Sequence, residues 1–175
     1  MPYTTIPSWL TSEILASARK WAQARGVPVQ EILATIYVES RGKPRAWNCQ
    51  PGPKPDGCSK ENSHGLMQIN INPTAWGSLL NKYGLSPEDL YDIDTNIKLG
   101  SEIYASFRKK VQALIVQSGV PQTLDLPTLT RLYYKGPKYV ERKLLAHEDA
   151  FHPYKDAEAA IANWQTAMAS VFAVA

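Results

Sequence analysis

Glu39 closes the apolar run Ile32-Leu33-Ala34-Thr35-Ile36-Tyr37-Val38, and the stretch Ser63-His64-Gly65-Leu66-Met67-Gln68-Ile69-Asn70 follows it along the chain. Breaking a glycosidic bond requires a carboxylic acid that protonates the leaving oxygen. Such an acid must hold its proton near neutral pH, which burial against apolar neighbours achieves. Glu39 has those neighbours in sequence. It also falls in the last turn of the helix that this run predicts, where the partial negative charge of the helix end and desolvation both disfavour the ionised form. On a helix advancing about 100° per residue it lies just past Ile32, at the edge of the apolar stripe, and so is expected along the core boundary. Spacing alone also allows an ordinary solvated glutamate at a helix end.

The elements that must position this acid are helical. At 175 residues the chain suits one domain able to bury about two-thirds of its unfolded surface, so no staple is required for stability. The 19 Lys and Arg against 16 acids give a net charge of +3 and a pI near 8.8 without any basic run, which argues against a nucleic-acid partner. No apolar run reaches membrane-spanning length, and Met1-Pro2-Tyr3-Thr4-Thr5-Ile6-Pro7 lacks the basic and apolar regions of a secretory signal.

Apolar periodicity predicts a helix from about Ser8 or Ser12 to Arg25, stopped by Gly26, and a second from Pro28 to Ser40. A short helix is expected over Pro73 to Tyr83 and the longest over Asp94 to Gln117, with Gly100 permitting close backbone packing. Further helices are expected over Leu126 to Lys135, Lys138 to Ala146 and Tyr154 to Phe172. No run alternates as a strand should, so the expectation is one all-α domain over residues 1–175, without repeat or linker. Residues 41–64, rich in Pro, Gly, Lys and Asn, are expected to form a long irregular loop that contributes to the site. Within it Cys49 and Cys58 could be joined by a turn, closing a bridge worth about 2.5–3 kcal/mol in an oxidising compartment, or remain free thiols.

Four motifs occur in order: Glu39-Ser40, Gly65-Leu66-Met67-Gln68-Ile69-Asn70, Asn96-Ile97-Lys98-Leu99-Gly100 and Leu132-Tyr133-Tyr134-Lys135-Gly136-Pro137. Over about residues 28–140 the chain resembles the lytic transglycosylases of the lysozyme-like superfamily. Trp76 to Gly100 looks most like the compact members that accompany secretion systems, pili and phage particles. The resemblance implies a lysozyme-like domain acting on peptidoglycan glycan strands, with Glu39 as the single catalytic acid and base. It implies further that Tyr133 approaches that acid, that Gln68 and Met67 line the sugar site, and that Ser59 answers a family serine. Tyr134 replaces the usual Asn and Leu132 the usual Ala, which puts that contact in question.

A hydrolysing glycosidase needs a second carboxylate. In the chicken-type lysozymes that this chain resembles it precedes the Gly by two residues, where Ser63 stands; in goose-type lysozymes it follows the Gln by two, where Asn70 stands. Asp56 and Glu61 could substitute, although on a polar loop each is more ordinarily a solvated charge. With one carboxyl the resemblance implies intramolecular chemistry: the C6 hydroxyl of N-acetylmuramic acid closes onto C1, leaving a 1,6-anhydro end without metal or organic cofactor. Trp47 is the best placed tryptophan for stacking on sugar, while Trp21 and Trp164 fall on core stripes. His64, His147 and His152 are too scattered for metal ligands, His64 reading as a partly exposed loop residue. The rival expectations are a goose-type hydrolysing muramidase and a wall-binding assembly protein that has lost catalysis. A monomer acting in the periplasm or wall, carried by a phage particle or exported by another route, completes the reading.

Overall fold

The computed structural model describes residues 7–50, 58, 61–72, 76–119 and the single positions 142, 143, 146, 159 and 162. The expected helices over Leu126 to Lys135, Lys138 to Ala146 and Tyr154 to Phe172 are not traced by these residues, and the expected start of the short helix at Pro73 also lies outside them.

Helix α1 spans Ser12–Arg25. The Thr11 hydroxyl accepts the Ile14 N–H at 3.2 Å, and Gly26, at φ 64°, returns its N–H to the carbonyls of Ala22 and Gln23. Helix α2 spans Val29–Ser40 behind Pro28, and α3 spans Gly77–Tyr83. After a 3-10 turn over Pro87–Tyr91, α4 spans Ile93–Ser118, its first turn capped by Asp92, which accepts the Thr95 N–H at 2.8 Å. The bounds of α1, α2 and α4 lie within a residue of those expected from the periodicity, whereas α3 begins at Gly77 and buries only Leu80.

The expectation of an all-α fold needs correction. Within the supposed irregular loop and just after it, β1 (Trp47–Gln50), β2 (Glu61–His64) and β3 (Ile69–Asn70) form an antiparallel sheet in the order β1-β2-β3. Strands of four, four and two residues, largely polar on both faces, carry no alternating apolar signal; their ladder partners are distant in sequence. Cys49 and Cys58 are joined by a disulfide that ties β1 to the residue three positions before β2.

Among the described residues, two apolar clusters hold helices and sheet together. The larger joins Ile14 and Ala18 of α1, Ile32, Leu33 and Ile36 of α2, Ile97 and Tyr104 of α4, and Leu66 with Met67 from the turn between β2 and β3. The smaller gathers Ile69, Leu80, Leu90, Leu99 and Ile103. Fully burying side chains of this size contributes about 1.5–3 kcal/mol each, so the turn is anchored by Leu66 and Met67 as firmly as a helix is. Gly100 makes room for it: a Cβ there would overlap the Met67 side chain. A salt link at the other end of α1 and α4 adds polar ties, with Ser17, Lys20 and Trp21 all donating to Asp94. Among the described residues no helix is long and apolar enough to cross a membrane.

Candidate active site

The acid is delivered by the way α2 ends. The Ser40 hydroxyl donates to the Ile36 carbonyl at 3.0 Å and accepts the Gly42 N–H at 3.2 Å, while Arg41 and Gly42 both adopt left-handed backbone, φ 55° and 72°. This turns the chain sharply just after Glu39. At Gly42 a side chain would strike Trp9, so the turn suits glycine on two grounds. Arg41 lies over the Tyr37 ring and donates to the Tyr37 carbonyl at 3.3 Å.

Glu39 is partly buried and, among the described residues, has no hydrogen-bond or ion-pair partner. Desolvation, reinforced by the negative charge of Glu61, pushes its carboxyl up to about 7. A group of that strength can give a proton to a leaving oxygen and take one back at neutral pH.

Opposite residues of an antiparallel pair share a face, and residues two apart on a strand do so as well. The register Trp47↔His64, Asn48↔Ser63, Cys49↔Asn62, Gln50↔Glu61 and Ser63↔Asn70 therefore sorts the sheet into two faces. One carries Asn48, Gln50, Glu61, Ser63 and Asn70; the other carries Trp47, Cys49, Asn62, His64 and Ile69. Glu61, whose charge acts on Glu39, belongs to the first. Here Ser63 is buried and its Oγ donates to Glu61 Oε1 at 3.2 Å. Asn70 Oδ1 accepts the Asn72 N–H at 3.0 Å.

The Gly65–Gln68 turn is set by polar contacts that the sequence did not reveal. Asn96, wholly buried on α4, accepts the Met67 N–H at 2.8 Å and donates to the carbonyls of His64 at 3.0 Å and Leu90 at 2.8 Å. Gly65, at φ 76°, lies so close that a Cβ would overlap the Asn96 amide and the Leu90 carbonyl. Gln68 adopts φ 45°, uncommon for a side-chain-bearing residue, and its amide nitrogen donates to the carbonyls of Gly65 at 2.9 Å and Ala46 at 3.2 Å. Its Nε2 thus clamps the turn to the segment before β1. Asn96 could have been singled out from the motif that contains it, but only the fold gives it partners.

Two of the expected sugar contacts have surroundings unlike those of Gln68 and Ser63. Met67 has no exposed surface and packs against Gly100 in the core, so its chemistry here is apolar anchoring. Trp47 is 58% exposed but stands on the sheet face opposite Glu61 and Ser63, its Nε1 donating to Asn62 Oδ1 at 3.0 Å. His64, expected as a partly exposed loop residue, is a buried strand residue beside it. Its Nε2 donates to Asn62 Oδ1 at 2.7 Å, so Nδ1 accepts from the Tyr91 hydroxyl at 2.9 Å, and burial lowers its pKa in keeping with a neutral ring. Ser59, Tyr133, Tyr134 and Asp56 lie outside the described residues. Of the expected site residues, Glu39, Trp47, Ser63, Met67, Gln68 and Asn70 fall among the described residues.

No three His, Cys, Asp or Glu side chains among the described residues gather as a metal site. A cavity of about 710 Å³ between the end of α1 and α4, lined by Arg25, Val27, Arg108, Gln112 and Val116, holds none of the chemistry-bearing groups above.

No curated protein matches the chain. Residues 16–145, running from within α1 through the acid, the sheet and the turn to beyond Tyr134, match the family model described as Transglycosylase SLT domain. With that match covering most of its length, the chain belongs to the transglycosylase SLT domain family, the peptidoglycan lytic transglycosylases of the lysozyme-like superfamily.

Proposed function

We propose that this protein cleaves the β-1,4 bond between N-acetylmuramic acid and N-acetylglucosamine and leaves 1,6-anhydromuramyl ends. The observation that carries this reading is Glu39, an acid with no cation among the described residues, raised to about 7 by burial at the end of α2. It is protonated in a substantial fraction of molecules at neutral pH and, once ionised, is basic enough to recover a proton.

In the first step the Glu39 proton passes to the leaving oxygen as the bond to C1 breaks, and the substrate's own N-acetyl group stabilises the cation that develops. In the second, the C6 hydroxyl bonds to C1 and its proton returns to Glu39, so the acid is regenerated without water. The hydroxyl is tethered to the reacting sugar, which gives it a high effective concentration over solvent. Ser63, Gln68 and Asn70 supply polar contacts to the sugars. Tyr133 orients the acid, and Ser59 with Tyr134 contacts substrate, as the family resemblance implies. The enzyme works as a single-domain monomer in the periplasm or wall, delivered by a phage particle or secretion apparatus.

Digestion of purified sacculi tests the reading: the muropeptides should be lighter than lysozyme products by one water. Hydrated, reducing ends would replace it with hydrolysis. That second reading has one observation in its favour, the carboxylate of Glu61 on the same sheet face as Ser63 and Asn70. Absence of any product would leave a wall-binding protein.

A further inference from the structure

We infer that the sheet face carrying Trp47 and Asn62 is a carbohydrate platform, on which the exposed indole of Trp47, fixed in place by Asn62, stacks against a pyranose ring of a glycan strand.

Among the described residues Trp47, 58% exposed, is the only aromatic ring left largely open to solvent. Trp9 lies against Tyr37, Trp21 meets the cations of Lys20, Arg25 and Lys98, and Trp76 packs on the smaller apolar cluster. The one polar atom of the Trp47 ring is already engaged, Nε1 donating to Asn62 Oδ1 at 3.0 Å, so the surface it offers outward is ring carbon. An indole N–H can only donate, which fixes the Asn62 amide with its oxygen toward Trp47. The same oxygen accepts His64 Nε2 at 2.7 Å, and His64 Nδ1 accepts the Tyr91 hydroxyl at 2.9 Å. Arg45 covers the Tyr91 ring at 4.6 Å and pairs with Glu88 at 2.9 Å. Two residues along β1, the Cys49–Cys58 disulfide ties down the strand that bears the indole. The exposed ring is thus anchored through Asn62 to a buried imidazole, and a side chain held in this way loses little freedom on meeting a ligand.

A flat carbon surface flanked by polar groups suits a sugar, whose ring presents C–H bonds on one face and hydroxyl and N-acetyl groups at its edge. A lipid or an apolar helix would need a continuous apolar patch, whereas the flanks here are Arg45, Asn48 and Asn62. An anionic polymer would seek a free cation, and Arg45 is paired. The family acts on peptidoglycan, whose glycan strand supplies such rings in series. Ser63 and Asn70 stand on the opposite sheet face, so the platform adds a contact to those they provide. That the ligand is this glycan rests on the proposed reaction, but its binding requires no turnover.

The test uses the full chain as Glu39→Gln, labelled with ¹⁵N in its tryptophans and titrated with a soluble hexamer of β-1,4-linked N-acetylglucosamine. The Trp47 indole N–H signal, assigned by its loss in Trp47→Phe, should shift and saturate. Trp47→Ala should weaken binding at least about tenfold, and Trp47→Phe, which keeps a smaller ring, by less. Asn62→Ala should move the Trp47 signal before any sugar is added and weaken binding about threefold or more, whereas Asn62→Asp, which keeps the acceptor, should restore both. A Trp47 signal that does not respond to the hexamer, or an affinity unchanged in a folded Trp47→Ala protein, overturns the proposal. Trp47-dependent binding by a chain whose native form lyses no wall upholds the platform and defeats the transglycosylase reading; anhydro products from a chain whose Trp47 ignores the sugar do the reverse.

Discussion

The two ends of α2 carry a glutamate into the protein in opposite ways. At the first, Glu31 is 6% exposed and receives Arg108 Nε from α4 at 3.1 Å. At the other, Glu39 meets no cation among the described residues, and the charge that reaches it is the carboxylate of Glu61. Burial raises both carboxyls above the ordinary value; the guanidinium then draws Glu31 back down, whereas Glu61 pushes Glu39 further up. The scaffold compensates a buried charge and the site does not. An uncompensated acid costs stability and retains a proton for use, which is the trade expected where chemistry is done.

Replacing Glu39 by Gln should have the largest effect. Sacculus lysis should fall by at least about a hundredfold, since the proton is gone and the shape remains. Stability should move the other way. The folded-state pKa lies above the ordinary 4.5, so the stabilisation tied to holding the proton is complete below that value and lost as pH rises through about 7. The Gln variant has nothing to lose over that window, and its thermal midpoint should gain more over the native protein at pH 8 than at pH 5. A folded variant that still lyses walls would take Glu39 out of the chemistry and end the contrast.

Asn96→Ala sharpens the comparison from the scaffold side, because it strands the Met67 N–H and the carbonyls of His64 and Leu90 in the interior. Urea denaturation should report a loss of about 2–4 kcal/mol. A loss below about 1 kcal/mol would mean that apolar anchoring alone holds the turn.

Glu31→Gln should be the mildest. Arg108 is 30% exposed, so water can solvate the abandoned guanidinium, and the cost should be about 1–2 kcal/mol with lysis per folded molecule preserved. Loss of lysis in a folded Glu31→Gln protein would show that both ends of α2 serve the reaction and that the contrast is false.

Helices α1, α2 and α4 were legible because their stabilising contacts repeat every three to four residues along a single segment. Glu39 was legible for the same reason: its apolar neighbours are neighbours in sequence. The sheet was not, since Trp47 pairs with His64 and Gln50 with Glu61 across a Pro- and Gly-rich stretch, and no local pattern announces such partners. One side chain is misplaced by that omission: a loop left His64 free to face water, whereas strand β2 buries it.

The pointing of Met67 is a separate matter, because a motif places a residue near a site without saying which way it points. Its direction is decided by Gly100, whose missing side chain opens a socket in α4, and by Asn96 four residues earlier, which grips the Met67 N–H. The sequence by itself determined the helices, the acid and the family, all of which reside in local spacing and residue type. Only the tertiary structure decided how the three strands pair, that His64 is buried among them, and what holds the turn, because each depends on groups brought together from separate parts of the chain.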